Sequence, residues 1–310
     1  MPTDQDLVVS VPTTEQLERL DPPAGVRVIE WDLQGPAPES RIDLVVLPYM
    51  SALDVLDRLD GVETRLVQSP SIGYDGYAER LPAGHVLANA AGVHEASTAE
   101  LAVGMVIASQ RRIPLHVRNQ ERGVWGTGLG LSRSLADQRV LVLGYGGVGR
   151  AIADRLAPFE TDVTVVASRA RDVDGRHVHG IDELPALLPE TDVVIVVVPL
   201  SDATRHLVDD TFLTALPDGA LVVNAARGPV ADTDALVDHV RRGRIRLALD
   251  VTDPEPLPEG HPLWALDDVL ITPHVGGAST AMQPRLRALV LEQIDRLVRD
   301  EAPVNVVLGG

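Results

Sequence analysis

A chain of 310 residues, 45% hydrophobic but only 3% aromatic, is long enough for two domains with cores built from Ala, Val, Leu and Ile. Its 45 acidic against 27 basic residues give a net charge of -18, which argues against nucleic acid and anionic membrane surfaces as partners. The chain contains neither Lys nor Cys, which excludes Schiff-base chemistry, a Walker-type phosphate lysine, disulfides and thiolate metal sites.

From the N-terminus, Asp4 and Asp6 stand where a signal peptide would be basic, and the longest apolar run, 193–200, is too short to span a bilayer. A soluble cytoplasmic protein is the expectation. Residues 7–11, 26–31 and 42–47 read as short strands, with helical spacing at 14–20 and 52–59. Residues 65–68 and 85–88 add two more strands, and strands alternating with helices predict a parallel sheet. The segment Ser69-Pro70-Ser71-Ile72-Gly73-Tyr74-Asp75-Gly76 follows a strand and is rich in turn formers. It predicts a loop at the carboxyl edge of the sheet, where ligands bind in such folds. Residues 94–112 read as a long helix. Residues 113–135, with Gly123, Trp125, Gly126, Gly128 and Gly130, read as a looser crossover to a second domain.

That domain opens on Arg139-Val140-Leu141-Val142-Leu143-Gly144-Tyr145-Gly146-Gly147-Val148-Gly149, a buried strand running into G-x-G-x-x-G, followed by helical spacing at 151–156. Gly144 would allow the tight turn, Gly146 would let the backbone approach a pyrophosphate, and Gly149 would let helix and strand pack closely. Strands are expected at 163–167, 193–198, 220–224, 246–251 and 269–272, with helices at 181–188, 210–216 and 233–242 between them. Counting the strand before the glycines, six strands make a doubly wound dinucleotide-binding domain. A helix at 281–300 and an extended tail at 303–308 close the chain.

An NAD-specific domain usually ends its second strand in an acid about 20 residues past the glycines, to bind the ribose 2'-hydroxyl. Here the strand ends Val166-Ala167-Ser168-Arg169-Ala170-Arg171, with no acid until Asp172. NADP(H) is therefore expected, with Ser168 and Arg169 at the 2'-phosphate and Arg171 as a helper; NAD(H) is the alternative.

Three later strands each end in a chemically capable residue. Asn224-Ala225-Ala226-Arg227-Gly228-Pro229 offers an Arg whose planar fork can grip a carboxylate and a carbonyl. Asp250-Val251-Thr252-Asp253-Pro254-Glu255-Pro256 offers a Glu between prolines, and Ile271-Thr272-Pro273-His274-Val275-Gly276-Gly277 a His. Each alone is commonly a surface or packed residue, but three at one sheet edge can converge.

With the glycine motif and His261-Pro262-Leu263-Trp264, these stretches stand in an order and register that resembles the D-isomer-specific 2-hydroxyacid dehydrogenase family over nearly the whole chain. The resemblance implies an α/β protein of two parallel-sheet domains, Rossmann-like and flavodoxin-like, with the active site in the interdomain cleft. Residues 1–97 with 281–310 would form the substrate domain and 98–280 the coenzyme domain.

The resemblance further implies that Arg227 binds substrate, that His274 is the catalytic acid and that Glu255 orients it. Gly144, Tyr145, Gly146, Gly147, Val148, Gly149, Val198, Pro199, Thr204, Ala225, Ala226 and Asp250 would line the coenzyme site. Ile72 and Gly73 would hold the substrate carboxylate through backbone amides, while Tyr49, Met50 and Tyr74 could line a pocket for a larger apolar keto acid. No metal is expected. The similarity to glyoxylate/hydroxypyruvate reductases points to reduction of a small 2-keto acid to the D-2-hydroxy acid. The loop Pro48-Tyr49-Met50-Ser51 lacks a basic group for a substrate phosphate, which counts against phosphoglycerate. The alternatives are a larger apolar 2-keto acid, phosphoglycerate, phosphite, or a non-catalytic nucleotide sensor of the same fold. A homodimer through the coenzyme domain, in contact over 99–135, is expected.

Overall fold

In the computed structural model, residues 6–126 and 130–309 are described; the acid expected at Asp4 and the glycine expected at Gly128 lie outside them. The chain divides into two units, Met1–His94 with Thr280–Gly310, and Glu95–Ser279.

In chain order, the first unit contributes β1 (Leu7–Val11), α1 (Thr14–Arg19), β2 (Val26–Glu30), β3 (Leu44–Val46), β4 (Leu66–Gln68), α2 (Tyr77–Arg80) and β5 (Leu87–Ala88). The second unit contributes α3 (Glu95–Gln110), α4 (Ile113–Glu121), β6 (Arg139–Leu143), α5 (Gly147–Leu156), β7 (Asp162–Ala167), β8 (Arg171–Val173), β9 (Arg176–Gly180) and α6 (Leu184–Leu187). It continues with β10 (Val193–Val196), α7 (Asp210–Ala215), β11 (Ala220–Asn224), α8 (Thr233–Arg241), β12 (Ile245–Leu249) and β13 (Val269–Ile271). The chain then returns to the first unit as α9 (Met282–Val298) and β14 (Val306–Leu308).

The first sheet runs β14-β5-β4-β3-β1-β2, parallel except where β14 pairs antiparallel with β5. Without β14 its order is the flavodoxin-like one, reversing between β1 and β3. Thr13 caps α1 by accepting from the Gln16 amide at 3.3 Å. Helix α9 carries Leu286, Leu289, Val290, Ile294 and Leu297 at helical spacing and buries them against Val9, Val11, Leu44, Val46 and Leu66. Each such side chain stabilises the unit by about 1.5–3 kcal/mol. Gln293 on the same face is also buried. It is satisfied by bonds to Gln68 Oε1 and to the Val304 carbonyl, both 2.9 Å, so α9, β4 and the tail are tied through one polar contact.

The second sheet runs β13-β12-β11-β10-β6-β7-β9-β8. Its pairs are parallel apart from the β8–β9 hairpin. Strand order reverses between β6 and β10, which is where an open α/β sheet leaves a crevice for a dinucleotide. Valines and leucines occupy β6, β10 and β11 as continuous runs because both faces are covered.

Two sequence expectations need correction. The looser stretch expected over 113–135 begins with a regular helix, α4, which carries Pro114 in its first turn and buries none of its residues, so no apolar stripe marks it. The six strands expected become eight, because β8 and β9 fill the edge beyond β7. Only Val178 of β9 reaches the core, so this edge lacks the apolar run by which its neighbours were read. Among the described residues no helix is long and apolar enough to cross a membrane.

Candidate active site

The turn after β6 explains its glycines. Gly144 has φ +111°, and a Cβ on it would lie 2.6 Å from the Val197 carbonyl oxygen just beyond β10. A Cβ on Gly149 would overlap the Gly144 carbonyl, so α5 can pack this closely only on glycine. Gly146, the N-cap of α5, is different: a Cβ there would meet nothing within 4 Å. The backbone is thus open at the positive end of a 10-residue helix, the cradle a pyrophosphate requires. Tyr145 is buried and lies under the Arg150 guanidinium, 5.7 Å from ring centroid to Cζ, while Gly147 and Val148 start the helix.

Ser168 and Arg169 follow β7 and are exposed. Arg171 is the first residue of β8; its Nη1 and Nη2 donate to the carbonyls of Arg169 at 3.3 Å and Tyr145 at 3.4 Å. The nearby acids are engaged elsewhere, Asp172 with His177 at 2.9 Å and Asp174 with Arg150 at 2.7 Å. The β7 edge therefore presents hydroxyl and guanidinium rather than carboxylate. Beyond β10, Val198 and Pro199 lead into a turn fixed by Thr204, whose hydroxyl donates to the Pro199 carbonyl at 2.6 Å and accepts from the Ser201 amide at 2.8 Å.

The loops after β11, β12 and β13 form one cluster. Asn224 accepts from the Ala226 amide and donates to the Arg227 carbonyl, both at 3.0 Å, and so fixes the turn through Ala225 that carries Arg227. Arg227 Nη1 donates to the Ala226 carbonyl at 2.7 Å. Gly228 lies against the Thr252 backbone so closely that a Cβ would overlap the Thr252 carbonyl, which brings the Arg227 and Glu255 loops together. Thr233 adds a hydroxyl bond to the Asp253 carbonyl at 2.8 Å.

His274 has φ +53°, held by its amide donating to the Asp250 carbonyl at 2.7 Å. Its Nδ1 lies 2.5 Å from Glu255 Oε1, with side-chain exposures of 29% and 38%. Burial works to raise the Glu255 carboxyl. The hydrogen bond and charge of His274, the Thr252 backbone and Arg227 outweigh it, leaving the group below the ordinary carboxylate range. An ionised carboxylate only accepts, so Nδ1 carries the proton of this bond, which leaves Nε2 as the ring nitrogen not engaged by Glu255. Asp250, expected at the coenzyme, is 3% exposed and accepts from Thr272 Oγ1 at 2.6 Å and from the Val275 and Gly276 amides at 3.0 and 2.9 Å. These bonds brace the His274 loop.

Residues 103–276 match the profile described as D-isomer specific 2-hydroxyacid dehydrogenase, NAD binding domain. The chain belongs to that family. It is 31% identical to a glyoxylate reductase of Aeropyrum pernix, over 94% of this chain and 92% of that protein. It is 30% identical to a human glyoxylate reductase/hydroxypyruvate reductase over 83% of each chain. A D-isomer specific 2-hydroxyacid dehydrogenase from Xanthobacter autotrophicus Py2, solved with NADPH and MES, superposes with a TM-score of 0.80. It is 29% identical over 98% of each chain.

As a member of the D-isomer specific 2-hydroxyacid dehydrogenase family, the protein is an oxidoreductase with a nicotinamide coenzyme domain. The four remaining expected residues, Tyr49, Met50, Ile72 and Gly73, lie in the first unit. Its 69–76 loop is pinned by Asn89, which donates to the Ile72 carbonyl at 2.8 Å, and by His94, whose Nε2 donates to the Pro70 carbonyl at 2.6 Å. His94 also stacks on Tyr49 at 5.7 Å and 19°. Met50 is exposed with φ +56°. Sequence reasoning missed Asn89, His94 and Asn224, because a buried polar side chain that ties a loop looks like any surface polar residue until its partner is known.

Proposed function

We propose that this dehydrogenase reduces a small 2-keto acid of the glyoxylate or hydroxypyruvate kind to the D-2-hydroxy acid, using NADPH in preference to NADH. The observation that carries the reading is the bond between His274 Nδ1 and an ionised Glu255, at 2.5 Å, with Arg227 on the adjoining loop. When bound, the reduced nicotinamide supplies the hydride. The Gly146 opening at the start of α5 fits the coenzyme's pyrophosphate, and Ser168 and Arg169 fit its 2'-phosphate. Val198, Pro199, Thr204, Ala225 and Ala226 line the approach to the nicotinamide.

Arg227 grips carboxylate and carbonyl through its planar fork, fixing which carbon is presented and stabilising charge that develops on the carbonyl oxygen. His274 donates the Nε2 proton to that oxygen as general acid, while Glu255 fixes the ring through Nδ1. The family resemblance gives the backbone amides of Ile72 and Gly73, in the first unit, a role in holding the substrate carboxylate, and Tyr49 and Met50 of that unit a place among the substrate-binding residues. Glyoxylate/hydroxypyruvate reductase relatives and the NADPH in the Xanthobacter protein support the substrate class and the coenzyme. The exposed apolar side chains of Ile113, Val117, Val124, Trp125 and Leu131 support a homodimer through the coenzyme domain.

The test is oxidation of NADPH and NADH, side by side, against glyoxylate, hydroxypyruvate, pyruvate, phenylpyruvate and 2-ketoisocaproate. Turnover concentrated on NADPH with glyoxylate and hydroxypyruvate is expected. Arg169→Asp should weaken NADPH by about 10-fold or more, since one lost charge-assisted bond is worth about 1.5–3 kcal/mol. An unchanged NADPH constant in that variant would remove the coenzyme assignment, and preference for phenylpyruvate would remove the substrate class.

A further inference from the structure

At the edge of the coenzyme sheet farthest from β13, β9 reads Arg176-His177-Val178-His179-Gly180. Val178 is wholly buried in the core, so strand alternation turns His177 and His179 together to the opposite face. Their rings meet edge-on, 4.7 Å between centroids at 89°. Two carboxylates converge on the pair: Asp172, across the hairpin on β8, lies 2.9 Å from His177 Nδ1, and Glu183, in the turn after β9, lies 2.8 Å from His179 Nδ1. Glu183 is itself held, because its other oxygen accepts the Gly180 amide at 2.8 Å. One ligand-capable atom from each of His177, His179 and Glu183 lies within 4.8 Å of the others, and no other such trio occurs among the described residues.

We propose that His177, His179 and Glu183 form a binding site for a divalent transition-metal ion of the zinc type. Two imidazole nitrogens and one carboxylate oxygen select zinc, cobalt or nickel over magnesium or calcium, which prefer all-oxygen shells. Around a tetrahedral ion with bonds of about 2.0–2.2 Å, ligand atoms stand about 3.4 Å apart, and small rotations of half-exposed side chains reach that from the present spacing. Asp172 is placed to accept from His177 Nδ1 and orient the ring, the common arrangement behind a metal-bound imidazole. Three protein ligands leave a fourth position for water. The site shares no residue with Arg227, Glu255 and His274, so it stands or falls apart from the proposed reaction. It clamps β9, whose His179 and Gly180 pair with Val166 and Ala167 of β7, to the turn that follows it.

The test uses the untagged full-length chain, stripped of metal and titrated with Co2+ by visible absorption and with Zn2+ by calorimetry. A single ion per chain is expected, with the d–d spectrum of a nitrogen-ligated ion and no competition from excess Mg2+. His177→Ala and His179→Ala should each weaken Co2+ by more than about 10-fold, the least that loss of a ligand costs. His177→Gln and His179→Gln, which keep the side-chain volume, should do the same with unchanged thermal unfolding of the metal-free protein. His274→Ala should bind as the wild type does. Absence of Co2+ binding, or binding that survives both β9 substitutions, overturns the proposal.

Discussion

Glu255 is ionised in the fold because what faces it is positive or a donor: His274, the Thr252 backbone and Arg227 together outweigh the burial that would keep it neutral. Since its folded value is lowered, the stability this pair contributes is fully present above the ordinary value of 4.5 and is lost as the pH falls below it. Glu255→Gln removes that contribution at every pH. Urea unfolding should therefore find the variant less stable by up to about 1 kcal/mol near neutrality, a figure discounted because Glu255 is more than a third exposed. The gap should close as the wild type is acidified below 4.5, and a gap that stays constant with pH would contradict the pairing. At this scale the sequence was readable where chemistry is local: Arg227, Glu255 and His274 each follow a strand and could be placed at one edge from that fact alone. Asp250 was not readable in the same way. Its three bonds to Thr272, Val275 and Gly276 arise between segments 22 to 26 residues apart.

Between elements, contact through glycine sets the positions of the loops. Gly228 lets the loop after β11 lie directly on the Thr252 backbone after β12, so that Arg227 and Glu255 belong to one surface. Gly228→Ala must push those loops apart. It should cost about 1–3 kcal/mol by urea unfolding, as overpacking does, and should raise KM for the keto acid by displacing Arg227. Wild-type stability and KM would show that the loops have slack. The strands at Leu7–Val11 and Ala220–Asn224 were legible to the residue because burial on both faces demands largely apolar, β-branched runs. Helix α4 and the hairpin β8–β9 were not: one buries nothing and the other reaches the core mainly through Val178. The same gap hid the His177 and His179 pair, whose common face exists only once β9 is a strand.

On the scale of the whole molecule, the chain leaves its first unit after His94 and comes back at Thr280, so α9 completes a core begun by β1. A first domain made from both chain ends was what the family resemblance implied, and the strand count agreed with it. Trp125 and Leu131 are 92% and 97% exposed, and the helix α4 before them in the chain buries none of its residues; exposed apolar side chains of this kind are what a partner surface would cover. Sedimentation at micromolar concentration should give a dimer, and Trp125→Glu should shift it toward monomer; a wild-type monomer would contradict the assembly. If His274 delivers the proton in the proposed NADPH-dependent keto-acid reduction, turnover of hydroxypyruvate at saturating NADPH separates the wild type from His274→Ala. The expected result is a fall of about 10²-fold or more with NADPH affinity unchanged; equal turnover in the two proteins would contradict it.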